Sequence, residues 1–152
     1  MSDFINKVVS VILVFIMLVL APMLISYKTE DMLAKRQVLN DVELFIDKIQ
    51  DTSTITEDDI NKLYIDCNSH GLVVDVQIKR LIATSVFDTD SGIAKTNYFA
   101  VDDLASLQDI NEGDIIQVNI KEVTISTARR ASYKILGLDE GTFKFSLAGV
   151  VG

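Results

Sequence analysis

The stretch Val8–Tyr27, "VVSVILVFIMLVLAPMLISY", contains no charged residue, and the charged and polar run "KTEDMLAKRQ" follows it at residues 28–37. Twenty residues at about 1.5 Å rise make a helix of roughly 30 Å, the hydrocarbon thickness of a bilayer. A soluble core helix keeps a polar stripe; here only Ser10, Ser26 and Tyr27 carry hydroxyls. The stretch predicts a transmembrane helix that presents Val8, Val11, Ile12, Phe15, Leu18, Pro22 and Ile25 to lipid or to packed neighbours. The rival expectation is a cleaved signal peptide. Cleavage after Ala21 would place Pro22 next to the cut, and the preceding Lys7 is offset by Asp3, so a retained anchor is expected. Pro22 is the chain's single proline. It lacks a backbone N–H, so it is expected to kink or loosen the helix, a break that membrane helices tolerate.

The residues after the anchor are of another kind. The chain has 152 residues, is 49% hydrophobic and carries a net charge of −8. Residues 1–28 hold Asp3, Lys7 and Lys28, which leaves 21 acidic and 12 basic residues in 29–152, a charge of −9. Such a module is soluble and repels nucleic acid and anionic headgroups. The basic pairs Lys79-Arg80 and Arg129-Arg130 are expected to be solvated, and no nucleic-acid partner is expected.

All seven glycines lie at or after Gly71. Glycine and proline punctuate structure, so the first seventy residues predict helix and the remainder turns and strands. Leu39, Val42, Ile46 and Ile49 step by three and four, with Val38 and Phe45 beside them, while Asp41, Glu43, Asp47 and Lys48 occupy the other faces. This is an amphipathic continuation of the first helix over 29–50. If residues 4–50 form one rod, it is about 70 Å long, with Leu39, Val42, Phe45, Ile46 and Ile49 as its packing stripe. A second helix is predicted over 56–70. Thr56 and Asp59 approximate a capping box, Ile60, Leu63, Tyr64 and Cys67 share a face, and Gly71 terminates it. Cys67 is expected as a small core residue and His70 as a partner of the helix C-terminal dipole.

Strands are expected over 72–152. Leu72, Val74, Val76 and Ile78 alternate with polar residues, and the strand is open to continuing through "LIATSVF". "DTDSG" reads as a turn, "IAKTNYFAV" as a return strand and "DDLASLQDI" as a short helical turn. "IIQVNIKEVTIST" places Ile116, Val118 and Ile120 on one face, and the slip of apolar phase to Val123 and Ile125 suggests a bulge. "SYKILGL" and "TFKFSLAGVV" are read as closing strands, Phe143, Phe145 and Leu147 sharing a face. The predicted fold is α+β. A long N-terminal helix, transmembrane and then amphipathic, packs on a C-terminal antiparallel sheet of four or five strands. The domain division is an anchor at 1–28 and a soluble domain at 29–152.

No motif points to catalysis. One histidine and one cysteine cannot supply the usual nucleophile–base sets, and no phosphate-binding loop, dinucleotide fingerprint or zinc-binding pattern is present. Paired acids such as Asp102-Asp103 and Asp139-Glu140 fall in turn or helix-start contexts. No catalytic, cofactor-binding or metal residue is assigned. Asp88 and Asp90, with Gly92, resemble the opening of a calcium loop, but its twelfth place holds Phe99 instead of a bidentate acid; an Asp/Gly turn has the same composition.

An apolar N-terminal helix that becomes amphipathic and then meets an antiparallel sheet, with Pro22 followed by Tyr27, resembles type IV pilins and the TadE-like pseudopilins. The pilin pattern has a short leader ending in Gly or Ala and a Glu five residues into the mature chain. Here no such leader precedes the apolar run, position 5 is Ile5, and the nearest acid is Asp3. A chain already mature and an uncleaved single-pass relative are both open. The resemblance implies a structural subunit of a surface filament or of a secretion or conjugation machine. Its partners would be the membrane, copies of itself and other components of that machine. The location implied is the cell membrane before assembly and a surface filament after it. The C-terminal domain is expected outside on architectural grounds, although Lys28, Lys35 and Arg36 outnumber Lys7 across the apolar run. The alternative is a monomeric membrane-tethered binding module that does not polymerise.

Overall fold

The structure, a computed structural model, describes residues 2–88, 93–101, 110–137 and 141–152. Helix α1 covers Ser2–Phe15, a π-helical segment covers Ile16–Leu20, and α2 covers Ala21–Thr52. The later elements are α3 (Glu57–Ser69), β1 (Val73–Asp88), β2 (Ile93–Val101), β3 (Ile115–Thr124), α4 (Thr127–Leu136) and β4 (Lys144–Val150). The chain divides into two compact units, Met1–Ala34 with Ser126–Glu140, and Lys35–Ile125 with Gly141–Gly152.

In the second unit the long helix packs on an antiparallel sheet in the order β2-β1-β3-β4. Opposed residues in antiparallel strands share a face, so the register assembles rows across the sheet. Val76, Ile120 and Phe145 form one row, Ile78, Val118 and Leu147 the next, and Arg80, Ile116 and Gly149 the third. Val76, Ile78, Val118, Ile120 and Ile116 are buried, as are Val38, Val42, Phe45, Ile46 and Ile49 of α2. The helix stripe covers the apolar face of the sheet, which carries polar residues on its other side. Leu39, at the edge of that stripe, is half-buried.

The third row explains a glycine. A Cβ on Gly149 would lie 2.3 Å from Ile46 Cγ2, so α2 seats the branch of Ile46 in the space that a side chain on Gly149 would fill. Gln50 Nε2, one turn further along α2, donates to the Val150 carbonyl at 2.8 Å.

The bulge lies where the apolar phase slips. Val73 opposes Thr124 and Val74 opposes Glu122, which leaves Val123 as the extra residue on β3. The slip turns Val123 outward and keeps Glu122 inward. Strand β1 runs on to Asp88, and beyond Leu81 it pairs with β2 alone. The capping box of α3 forms, with Thr56 Oγ1 accepting from the Asp59 N–H and Asp59 Oδ2 accepting from the Thr56 N–H, both at 3.2 Å. His70 occupies the C-cap position, and Gly71 follows at φ +81°.

Two expectations need correction. "SYKILGL" lies in α4 up to Leu136, not in a strand. Ser126 Oγ accepts from the Arg129 N–H at 3.3 Å, and Gly137 closes the helix at φ +64°. A serine cap, a left-handed glycine and the helix-forming "ARRA" outweigh the short apolar run. Arg80 and Arg129 are not solvated: they are 4% and 8% exposed and ion-paired. The "DDLASLQDI" turn up to Asp109, the pair Asp102-Asp103, Asp139-Glu140 and Asp90 of the calcium candidate lie outside the described residues.

Candidate functional site

Twenty residues without charge should form a helix that lacks any polar face, and they do. Every residue from Asp3 to Leu20 is exposed, Val8, Val11, Ile12, Phe15 and Leu18 among them, and so are Pro22 and Ile25. The helix from Asp3 to Thr52 is long and apolar enough to cross a membrane. Fifteen Val, Ile, Leu, Met and Phe side chains lie between Val8 and Tyr27. Covering such a side chain is worth about 1.5–3 kcal/mol, so leaving the set in water forgoes roughly 20–45 kcal/mol. A domain's whole net stability is about 5–15 kcal/mol. This surface is therefore covered in the working protein.

Two hydroxyls of the stem region, those of Ser10 and Thr29, fold back onto their own helix, which removes these donors from the lateral surface. Ser10 Oγ donates to the Asn6 carbonyl at 2.8 Å and Thr29 Oγ1 to the Ile25 carbonyl at 3.0 Å. The π-helical segment ends one residue before Ala21, whose N–H donates to the Ile16 carbonyl, five residues back. Pro22 follows. A proline ring crowds the carbonyl four residues earlier, here Leu18, and supplies no N–H. The wider turn contains Leu18 and is the local form of the break that Pro22 predicts. The helix is widened over one turn and then resumes as α2.

Four polar clusters are buried or half-buried, and sequence reasoning missed their pairings. In the first unit, Arg129 Nε of α4 lies 3.0 Å from Asp31 Oδ1 of α2, and Tyr133 Oη donates to Asp31 Oδ2 at 3.3 Å. Arg129 also sits over the Tyr133 ring, 5.4 Å from its centre. In the second unit, Arg80 Nη2 and Nε lie 2.6 and 2.8 Å from Asp114 Oδ2, which also accepts from the Asn111 N–H at 2.9 Å. Burial works against ionisation of Asp114. The Asn111 N–H and the Arg80 guanidinium outweigh it, and its carboxyl is held below the ordinary carboxylate value. Glu122 is buried beneath the bulge, its Oε2 accepting from the Phe143 N–H at 3.0 Å. His70 Nε2 meets Asp41 Oδ2 at 2.7 Å, so this ring ties the end of α3 to α2. The signal available for the ion pairs was position. Arg80 falls on the inward phase of Val74, Val76 and Ile78, where a charge needs a buried partner.

The arrangement offers packing and ion pairing. Cys67 is fully buried; burial first, then the nearby Asp41 and Asp66 charges, push its thiol up to about 12. A thiol so protonated is a poor nucleophile at neutral pH. Among the described residues no three His, Cys, Asp or Glu side chains are grouped as metal ligands. Asp88 is placed at the end of β1, opposite Ile93 of β2. Comparison of the chain with known family models, with curated proteins and with solved structures gave no match.

Proposed function

We propose that this protein is a membrane-anchored structural subunit, similar in plan to pilins and pseudopilins, that assembles with copies of itself into a filament or a secretion or conjugation machine. The observation that carries the proposal is the anchor helix. It is apolar and exposed on every side, and it continues in sequence into the helix that covers the sheet's apolar face. Lipid covers this surface before assembly, and neighbouring copies of the same helix cover it afterwards. The change of surroundings keeps the same apolar area out of water, so it proceeds without a large hydrophobic cost. The widened turn before Pro22 gives the stem a point of adjustment among neighbours. No catalytic group is required.

The proposed location is the cell membrane, with the C-terminal domain outside, since long domains are translocated regardless of flanking charge. The second reading is a monomeric tethered module, in which lipid is the helix's permanent solvent. Cysteine cross-linking in cells separates the two. Cys67 is buried and does not compete. Under the subunit proposal, Leu18→Cys and Val11→Cys form disulfide-linked dimers on mild oxidation, while Lys62→Cys, on the exposed face of α3, does not. Monomer at all three positions would favour the tethered module.

A further inference from the structure

The widened turn of the stem leaves a polar group bare in the middle of the apolar run. In an α-helix the carbonyl of one residue accepts from the N–H four residues on. For Met17 that donor is Ala21, whose N–H is bound to the Ile16 carbonyl instead. The next N–H along would belong to Pro22, which has none. Among the described residues of the stem, no main-chain donor is left for the Met17 carbonyl. Nine residues of the uncharged run precede Met17 and ten follow it. At about 1.5 Å per residue, this carbonyl lies about 15 Å from either end, at mid-depth of the hydrocarbon. Lipid tails cannot donate a hydrogen bond, so a carbonyl left bare there is costly.

Serine and threonine can fill such a vacancy from their own helix. The nearest stem hydroxyls, Ser10 and Ser26, stand seven and nine residues from Met17, and Ser10 already donates to the Asn6 carbonyl. A second copy lying alongside at the same depth brings the same apolar side chains and no donor. The approach is open. A helical side chain leans back over the turn before it, and the one four residues beyond Met17 is Ala21, the smallest side chain in a run with no glycine and no other alanine. Met17 and Leu18 themselves are 71% and 70% exposed.

We propose that the Met17 carbonyl is the docking point for a transmembrane helix of a different protein, one that presents an asparagine, glutamine, serine or threonine at mid-depth. The inference rests on the membrane-anchored reading and deepens it. Copies of the chain cover the apolar surface, and the one polar point on that surface selects a partner that is not a copy. A hydrogen bond between membrane helices favours association by about 3- to 30-fold.

The test uses the full chain in phosphatidylcholine vesicles, with a donor fluorophore on Lys7→Cys; Cys67 is buried and does not compete. The probe partner is a lysine-flanked polyleucine helix of about twenty residues that carries an acceptor fluorophore. It bears one asparagine at its centre, one near its end, or none, and is kept dilute enough in lipid to stay monomeric. Docking predicts energy transfer to the central-asparagine peptide at roughly 3- to 30-fold lower peptide density than to the other two. Pro22→Ala supplies the missing N–H, and Ala21→Leu covers the carbonyl; each should abolish the difference. Equal transfer to all three peptides overturns the proposal, as does a preference that survives Pro22→Ala. A chain that does not float with the vesicles would refute the anchor, and the docking point with it. A chain that floats and ignores the central asparagine refutes the docking point alone.

Discussion

Gly149→Ala tests the packing of the long helix on the sheet. The backbone at Gly149 is not in the left-handed region, so alanine fits the strand's conformation. The new methyl would sit 2.3 Å from Ile46 Cγ2, whereas carbon atoms prefer about 3.5–4.0 Å. The shortfall exceeds about 1 Å. Ile46 is 4% exposed, and its branched Cβ is stiff at χ1, so the clash must be relieved by moving the helix or by an off-rotamer side chain. Over-packing of this kind costs about 1–3 kcal/mol, and the reduced freedom of the unfolded chain returns about 0.4–1 kcal/mol. The expected net loss is roughly 1–2 kcal/mol, read from urea unfolding of the full chain in mild detergent. Ile46→Ala by itself should cost about 2–5 kcal/mol. In that background only the Gln50 amide, 3.1–3.2 Å from the new methyl, stays close, so adding Gly149→Ala should cost less than it does in the wild type. The cycle therefore predicts a favourable coupling of about 1–3 kcal/mol. An equal cost for Gly149→Ala in both backgrounds would refute the contact.

Asp114→Ala would leave the Arg80 charge buried without its carboxylate and should cost about 3–5 kcal/mol in unfolding experiments, with Arg80→Met/Asp114→Leu costing less than Asp114→Ala alone. Because the folded carboxyl is held below its ordinary value, the unfolded chain binds a proton first. This contribution is present above about pH 5 and fades as pH falls below about 4, and pH-dependent unfolding of wild type against the double variant checks the sign. Cys67 titrates the other way. Between about pH 9 and 12 the unfolded thiol has ionised while the folded one has not, so stability should fall by roughly 1.4 kcal/mol per pH unit relative to Cys67→Ala; parallel curves would contradict this. The same thiol should react with a disulfide reagent only as the domain unfolds in denaturant. Pro22→Ala restores the missing N–H and should change filament yield or stiffness while shifting the unfolding of the domain by less than about 0.5 kcal/mol; equal effects on both would dismiss the adjustment point.

The elements with long, regular patterns are legible in the amino-acid sequence. The uncharged run, the Val38-to-Ile49 stripe, the Leu72-to-Ile78 alternation and the phase slip at Val123 each repeat one physical rule over several residues, and each forms as expected. Helix α4 is not legible as a helix, because "SYKIL" is too short to separate a period of two from one of 3.6. Its cap residues, Ser126 and Gly137, carry the missing signal. The pairings of Arg80 with Asp114 and Arg129 with Asp31 join residues far apart in the chain, and no local period encodes such a contact. Burial of Arg80 follows from its phase, but its partner follows only from the fold. The close approach at Gly149 is illegible for the same reason: glycine in a strand signals a near neighbour without naming it.

The central claim is that the apolar helix exchanges lipid for copies of itself. The direct measurement is immunogold electron microscopy of surface appendages sheared from cells, using antibody to the soluble domain, with the sheared fraction blotted beside the membranes. The account predicts gold along the filaments and this chain in both fractions. Unlabelled appendages, with all of the chain held in the membrane as monomer, would contradict it.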